Sequence, residues 1–189
     1  MPVLWLDVFF WALVATVSLY VGMAVFTSRQ RFSRAVYMAA GMLASIGYFG
    51  PRLLIPFLPQ PALGLPDGVA LLLGAFILFA GVGIMIRVIL RLRATSEGGA
   101  VLDDGLFGLV RHPMYLGDVL WSLGLGLMLN AVYAVALVPL WWLLRACLSV
   151  LEEERLVDKY GEAYRAYQGR VPCRMLPLPR RGAGRRSQA

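Results

Sequence analysis

Arg111, His112 and Tyr115 stand in one short polar stretch, Arg111-His112-Pro113-Met114-Tyr115-Leu116-Gly117, and three carboxylates, Glu152-Glu153-Glu154, follow beyond a long apolar segment. Guanidinium, imidazole and phenol groups offer hydrogen-bond donors, while carboxylates accept hydrogen bonds and attract cations. Ionisable groups beside a membrane-length segment cost free energy unless they are paired or used. Two clusters of complementary chemistry flanking one such segment therefore predict the two halves of a site. Adjacent helical residues point about 100° apart, so only one or two of the three glutamates can face it. Glu154 is the one expected on a wet face, with Asp158 and Arg155.

The elements that must position these groups are membrane helices. Of the 189 residues 59% are hydrophobic and 15% charged, with a mean hydropathy of +0.69, too apolar for a soluble domain of this length. A spanning helix needs roughly 20 apolar residues. Three segments meet that need, from about Val3 to Phe26, Ala35 to Leu58 and Val69 to Leu90. With neither a basic lead nor a small-residue cleavage site, the first reads as a retained helix rather than a signal peptide. Pro51 and Pro56 predict an irregular end to the second. Gly74, Gly81 and Gly83 let a helix or a ligand approach the backbone of the third closely. As a single helix, Leu116 to Leu151 would be about 54 Å long, so a short hairpin of two helices turning near Asn130 is expected. The predicted fold class is all-α, a polytopic membrane protein with five transmembrane helices.

Charge placement bears on orientation. Arg29, Arg31 and Arg34 follow the first helix, and Arg91, Arg93 and Arg111 follow the third; Pro59 to Gly68 carries only Asp67, and the turn at Asn130 carries no charge. Short Arg-rich loops stay cytoplasmic, so an outside N-terminus and a cytoplasmic C-terminus in the plasma (inner) membrane are expected. Both polar clusters then emerge on the cytoplasmic side and can meet.

The pattern Gly105-Leu-Phe-Gly-Leu-Val-Arg111-His112-Pro113-Met-Tyr115-Leu-Gly117 resembles the active-site loop of the isoprenylcysteine carboxyl methyltransferase family, which is related to the phospholipid N-methyltransferases. The run from Glu152 to Tyr167, with Tyr160, Gly161 and Tyr164, is similar to the second half of that family's signature, and Val171-Pro172-Cys173-Arg174-Met-Leu-Pro177 to its ending. The resemblance extends from about Gly81 to Pro177. It implies a single methyltransferase domain over residues 1–179, with two N-terminal helices in 1–65, a catalytic part in 66–179 and a C-terminal cytoplasmic region that binds the cofactor. Where the family ends in Val-Pro-Arg, this chain has Cys173 between Pro172 and Arg174.

The cofactor implied is S-adenosylmethionine, with Gly81, Gly83, His112, Pro113, Tyr115, Glu152 and Glu153 as the binding residues. Its ammonium needs an anion, and its carboxylate needs donors of the kind that Arg111, His112 and Tyr115 carry. Arg111, Arg145 and Arg174 are the catalytic candidates, the last two suited to orienting a carboxylate acceptor such as that of an isoprenylcysteine; an amine acceptor would need a base instead. An apolar or lipid-like acceptor and membrane lipids are the expected partners. No metal is expected, since one His and two Cys cannot build a usual zinc site, and no nucleic acid for so apolar a chain. Residues 180–189, with four Arg, read as a disordered basic tail held near anionic lipid.

Blander readings stand beside these. Gly81 and Gly83 suit plain helix packing, Pro113 suits the first turn of a helix, and Tyr160, Tyr164 and Tyr167 make one helical stripe that an interfacial belt would also explain. Two other classes stay open: an NADPH-dependent enzyme like the membrane sterol reductases, and a non-catalytic membrane protein that keeps the fold.

Overall fold

The computed structural model describes residues 4–27, 33–95 and 101–176. Arg29, Arg31, Pro177 and the tail from Arg180 lie outside the described residues. Seven α-helices are described: α1 Leu4–Thr27, α2 Arg34–Leu54, α3 Asp67–Thr95, α4 Pro113–Met128, α5 Val132–Ala136, α6 Val138–Tyr160 and α7 Glu162–Arg170. Among the described residues there is no strand, only an isolated bridge between Ala62 and Ala131. Ser33 caps α2 by accepting from the Val36 amide. That helix passes Pro51 and tightens into a 3₁₀ turn over Ile55–Phe57, which is the irregular end expected of two prolines.

Four helical stretches, Leu6–Val25, Arg34–Phe57, Asp67–Thr95 and Val132–Tyr160, are long and apolar enough to cross a membrane. The expected fourth helix is present as α4, but its 16 residues reach only about 24 Å at about 1.5 Å per residue, against a core of about 30 Å. The second arm of the hairpin is longer than expected, because α6 continues through the glutamates to Tyr160.

The chain divides into two compact units, residues 1–83 with 117–144 and residues 84–116 with 145–189. In the first unit the hairpin turns at Asn130, whose φ of 55° lies in the left-handed region that Asn tolerates. Its side chain donates to the Leu65 carbonyl at 3.0 Å, and the Gln60 carbonyl oxygen accepts from the amides of Tyr133 and Ala134 at the start of α5. The loop before α3 thus holds the hairpin by satisfying backbone groups that the turn exposes. Helices α3 and α4 touch backbone to backbone here. A Cβ on Gly124 would stand 2.2 Å from the Leu78 nitrogen, and one on Gly81 2.5 Å from the Trp121 nitrogen, so neither position has room for a side chain.

The same unit buries an ion pair. Arg52 of α2 donates from Nη1 to both carboxylate oxygens of Asp118 of α4, at 2.9 and 3.0 Å, and from Nη2 to the Asp118 carbonyl. Tyr48 and Trp121 donate to the same carboxylate at 2.7 and 3.0 Å. The guanidinium also lies over the rings of Tyr48, Trp121 and Trp141, 4.5 to 5.1 Å from their centroids. Two opposite charges that an apolar environment would each exclude are stabilised together.

Candidate active site

The second unit carries the polar clusters. Pro113 opens α4, where its missing N–H is no loss, and the His112 carbonyl accepts the amides of Tyr115 and Leu116. His112 and Tyr115 therefore leave the helix start one turn apart, with stacked rings 5.3 Å between centroids. The segment after α7 lies alongside: the Arg111 amide donates to the Cys173 carbonyl at 2.9 Å and the His112 amide to the Arg174 carbonyl at 2.7 Å.

Glu153 of α6 is enclosed by donors. Arg111 grips it with two parallel bonds, Nε to Oε1 at 2.8 Å and Nη2 to Oε2 at 3.2 Å, and gives Nη1 to the Val171 carbonyl. Nε of Arg174 and the Gln168 amide each reach Oε2 at 3.2 Å, while His112 Nε2 lies 3.1 Å from Oε1. Even with Cys173 before it, Arg174 turns its guanidinium onto Glu153. Glu152, one residue earlier, faces differently. Its side chain is 45% exposed, and both of its polar contacts, Tyr115 Oη at 2.8 Å and His112 Nδ1 at 3.4 Å, fall on Oε2. Glu154 is exposed.

A cavity of about 220 Å³ opens beside these groups, lined by apolar residues such as Val88, Leu92, Leu102 and Leu156 and by the rings of Phe107, Tyr115, Tyr160, Tyr164 and Tyr167. Glu152 is the one carboxylate among its described lining residues; His112, Pro113 and Arg111 line it too. Arg145 places its guanidinium 4.8 Å above the Tyr115 ring. Neither Gly81 nor Gly83 is among the lining residues: Gly81 packs on α4 in the first unit, and nothing lies within 4 Å of a Cβ built on Gly83. Sequence reasoning did not single out Gln168, and no local pattern marks it. Arg52 was also passed over, although an Arg and an Asp inside apolar segments are a visible signal of intramembrane pairing.

A family model described as Phospholipid methyltransferase matches residues 68–163, half of the chain. The chain belongs to that family. Among curated proteins, this phospholipid methyltransferase family member is 31% identical over 80 residues to a protein-S-isoprenylcysteine O-methyltransferase of Schizosaccharomyces pombe, covering 42% of this chain and 34% of the relative. It is 33% identical over 78 residues to protein-S-isoprenylcysteine O-methyltransferase B of Arabidopsis thaliana, covering 41% and 40%. A Delta(14)-sterol reductase of Mus musculus is 37% identical over 87 residues, covering 44% and 20%. The chain thus spans between a fifth and two fifths of the length of these relatives. No solved structure gives a significant match. With four membrane-length helices, this family member is an integral membrane protein of all-helical fold.

Burial disfavours a charged His112, but hydrogen bonds and charge from Glu152 and Glu153 outweigh that and raise its pKa above the ordinary 6.5. Only the protonated ring donates from both nitrogens, as contact with both glutamates requires. The linkage has a definite sign. Protonation of His112 contributes its stability below pH 6.5, and that contribution is lost as pH rises through the raised value. Thermal melting followed against pH should fall as pH rises above 6.5 and through the raised value, and His112→Gln should remove that limb. A limb unchanged in the variant would place the titration elsewhere.

Proposed function

We propose that this protein transfers a methyl group from S-adenosylmethionine to an apolar, lipid-like acceptor such as an isoprenylcysteine carboxylate. The observation that carries the reading is Glu152, a half-exposed carboxylate and the one acid among the described lining residues of a largely apolar and aromatic cavity that Arg111 and His112 also line. Its Oε1 has no partner among the described residues, so the donor set fits a ligand with a cationic head. When bound, S-adenosylmethionine supplies an electrophilic methyl group on a sulfonium whose charge disappears on transfer. Glu152 holds the cationic head, oriented by Tyr115 and His112 through Oε2. Glu153 does not touch the ligand; it holds Arg111, His112 and Arg174 in place. Leu92, Leu102, Phe107 and Leu156 exclude water from the transfer, which disperses charge and is favoured by a dry, aligned site. Arg145 and Arg174 are assigned to orienting the acceptor carboxylate.

The Arg-rich segments at Arg91, Arg93 and Arg111 support a cytoplasmic position for this unit, with five membrane-embedded helices if α4 is counted as a short one. The cofactor then arrives from the cytosol and the acceptor from the bilayer. A second reading, an NADPH-dependent reductase, is favoured by the sterol reductase relative.

Binding of labelled S-adenosylmethionine and of NADPH to the purified protein separates the two. S-adenosylmethionine should bind saturably, and Glu152→Gln should weaken it by about ten- to a hundredfold, the loss of one charge-assisted contact. Because Glu152 is half exposed, its melting temperature should barely move. Unchanged affinity in the variant, or binding of NADPH alone, would overturn the assignment.

A further inference from the structure

Helix α7 sets Tyr164 in the cavity wall, its ring packed with Tyr167 and Val171. The residue is only 3% exposed, yet its hydroxyl makes no hydrogen bond among the described residues. Two neighbours differ, Tyr167 donating to the Phe107 carbonyl and Tyr115 to Glu152, and Tyr160, which also lines the cavity, is less buried. Among the described residues, Arg52 Nε is the one closed-off side-chain polar atom without a partner, so the Tyr164 hydroxyl is not fully sealed, and Tyr164 is one of the residues that line the cavity. A nearly buried hydroxyl without a partner carries a desolvation penalty that a ligand acceptor relieves. Burial, reinforced by the charge on Glu153, pushes its pKa up, so it keeps its proton and acts as a donor.

The surroundings select the acceptor. Phe107, Tyr160 and Tyr167 line the same cavity with flat aromatic surface, which suits a planar heterocycle. An anionic group is a poor match for this hydroxyl, because Glu152 and Glu153 both act on it and the Arg111 charge is committed to Glu153.

We propose that Tyr164 contacts the bound ligand, its hydroxyl donating to a ring nitrogen of an adenine moiety held among these aromatic rings. The inference rests on the methyltransferase reading for the rest of the cofactor, although S-adenosylmethionine and NADPH both carry adenine.

Calorimetric titration of the full chain in detergent tests it, using adenosine, S-adenosylhomocysteine, NADPH and the 1-, 3- and 7-deaza analogues of adenosine. Tyr164→Phe keeps the ring and its packing, so the melting temperature should not change. Adenosine and S-adenosylhomocysteine should both weaken by about fivefold, the loss of one neutral hydrogen bond. One deaza analogue should bind the native protein about fivefold more weakly than adenosine, yet match adenosine on the variant. Adenosine binding equally to both proteins, or no adenine ligand binding at all, overturns the proposal. S-adenosylhomocysteine binding that ignores Tyr164→Phe overturns this assignment and leaves the methyltransferase reading standing. NADPH binding alone, with the same loss in the variant, does the reverse.

Discussion

Asp118→Ala is expected to destabilise the protein by about 3–5 kcal/mol, because it leaves the Arg52 guanidinium buried without its counter-charge. The side chains of Arg52 and Asp118 are 0% and 1% exposed, so neither can reach water without disrupting the packing between α2 and α4. The cation–π contacts with Tyr48, Trp121 and Trp141 persist in the variant, but they add to ion pairing rather than replace it. Removing both charges together should be far milder. Replacing Arg52 by Met and Asp118 by Leu in one protein should recover most of the lost stability, since a buried ion pair gains little over well-packed apolar groups. Thermal unfolding in detergent micelles reads all three proteins. If the single variant melts like the native protein, or the double variant is no better than the single one, the pair is not the latch described.

Glu153→Ala should cost a similar amount, about 3–5 kcal/mol, for the same reason and with a further consequence. Arg111, nearly buried at 7% exposure, loses both of its side-chain bonds to the carboxylate, and Arg174 and Gln168 lose theirs. The segment from Val171 to Arg174 then keeps its backbone bonds from Arg111 and His112 and the bond from Arg111 Nη1. Cofactor affinity should fall together with melting temperature. Glu152→Gln should reduce affinity alone. Melting curves and binding isotherms on the two variants, measured side by side, distinguish a carboxylate that holds the site from one that faces the ligand. Equal stability loss in both variants would sink that division of labour.

Much of the fold is legible from apolar run lengths, which placed three long helices and a turn at Asn130. The helix count was less legible. Run length fixes how many residues avoid water, while α4 and α6 divide the last run unequally, 16 residues against 23. The meeting of Arg111 and His112 with the glutamates was also readable, because charges flanking an apolar segment have few stable arrangements other than with each other.

Which glutamate does what was not readable. Helical pitch sets the angle between Glu152 and Glu153 but not the rotation of α6 against its neighbours, so packing decides that Glu153 meets four side-chain partners and Glu152 meets the cavity. Rotation likewise decides that Gly81 packs on α4, and that Tyr164 is buried with no hydrogen bond to its hydroxyl among the described residues while Tyr167 donates to the Phe107 carbonyl. From its composition and motifs alone, the sequence determined a membrane-embedded helical protein with two complementary polar clusters, since burial and charge balance depend on residue type and spacing. Tertiary structure decided the Arg52–Asp118 pairing and the different surroundings of two adjacent carboxylates. Those follow from directional hydrogen bonds between residues far apart in the chain, whose geometry exists only once the helices have packed.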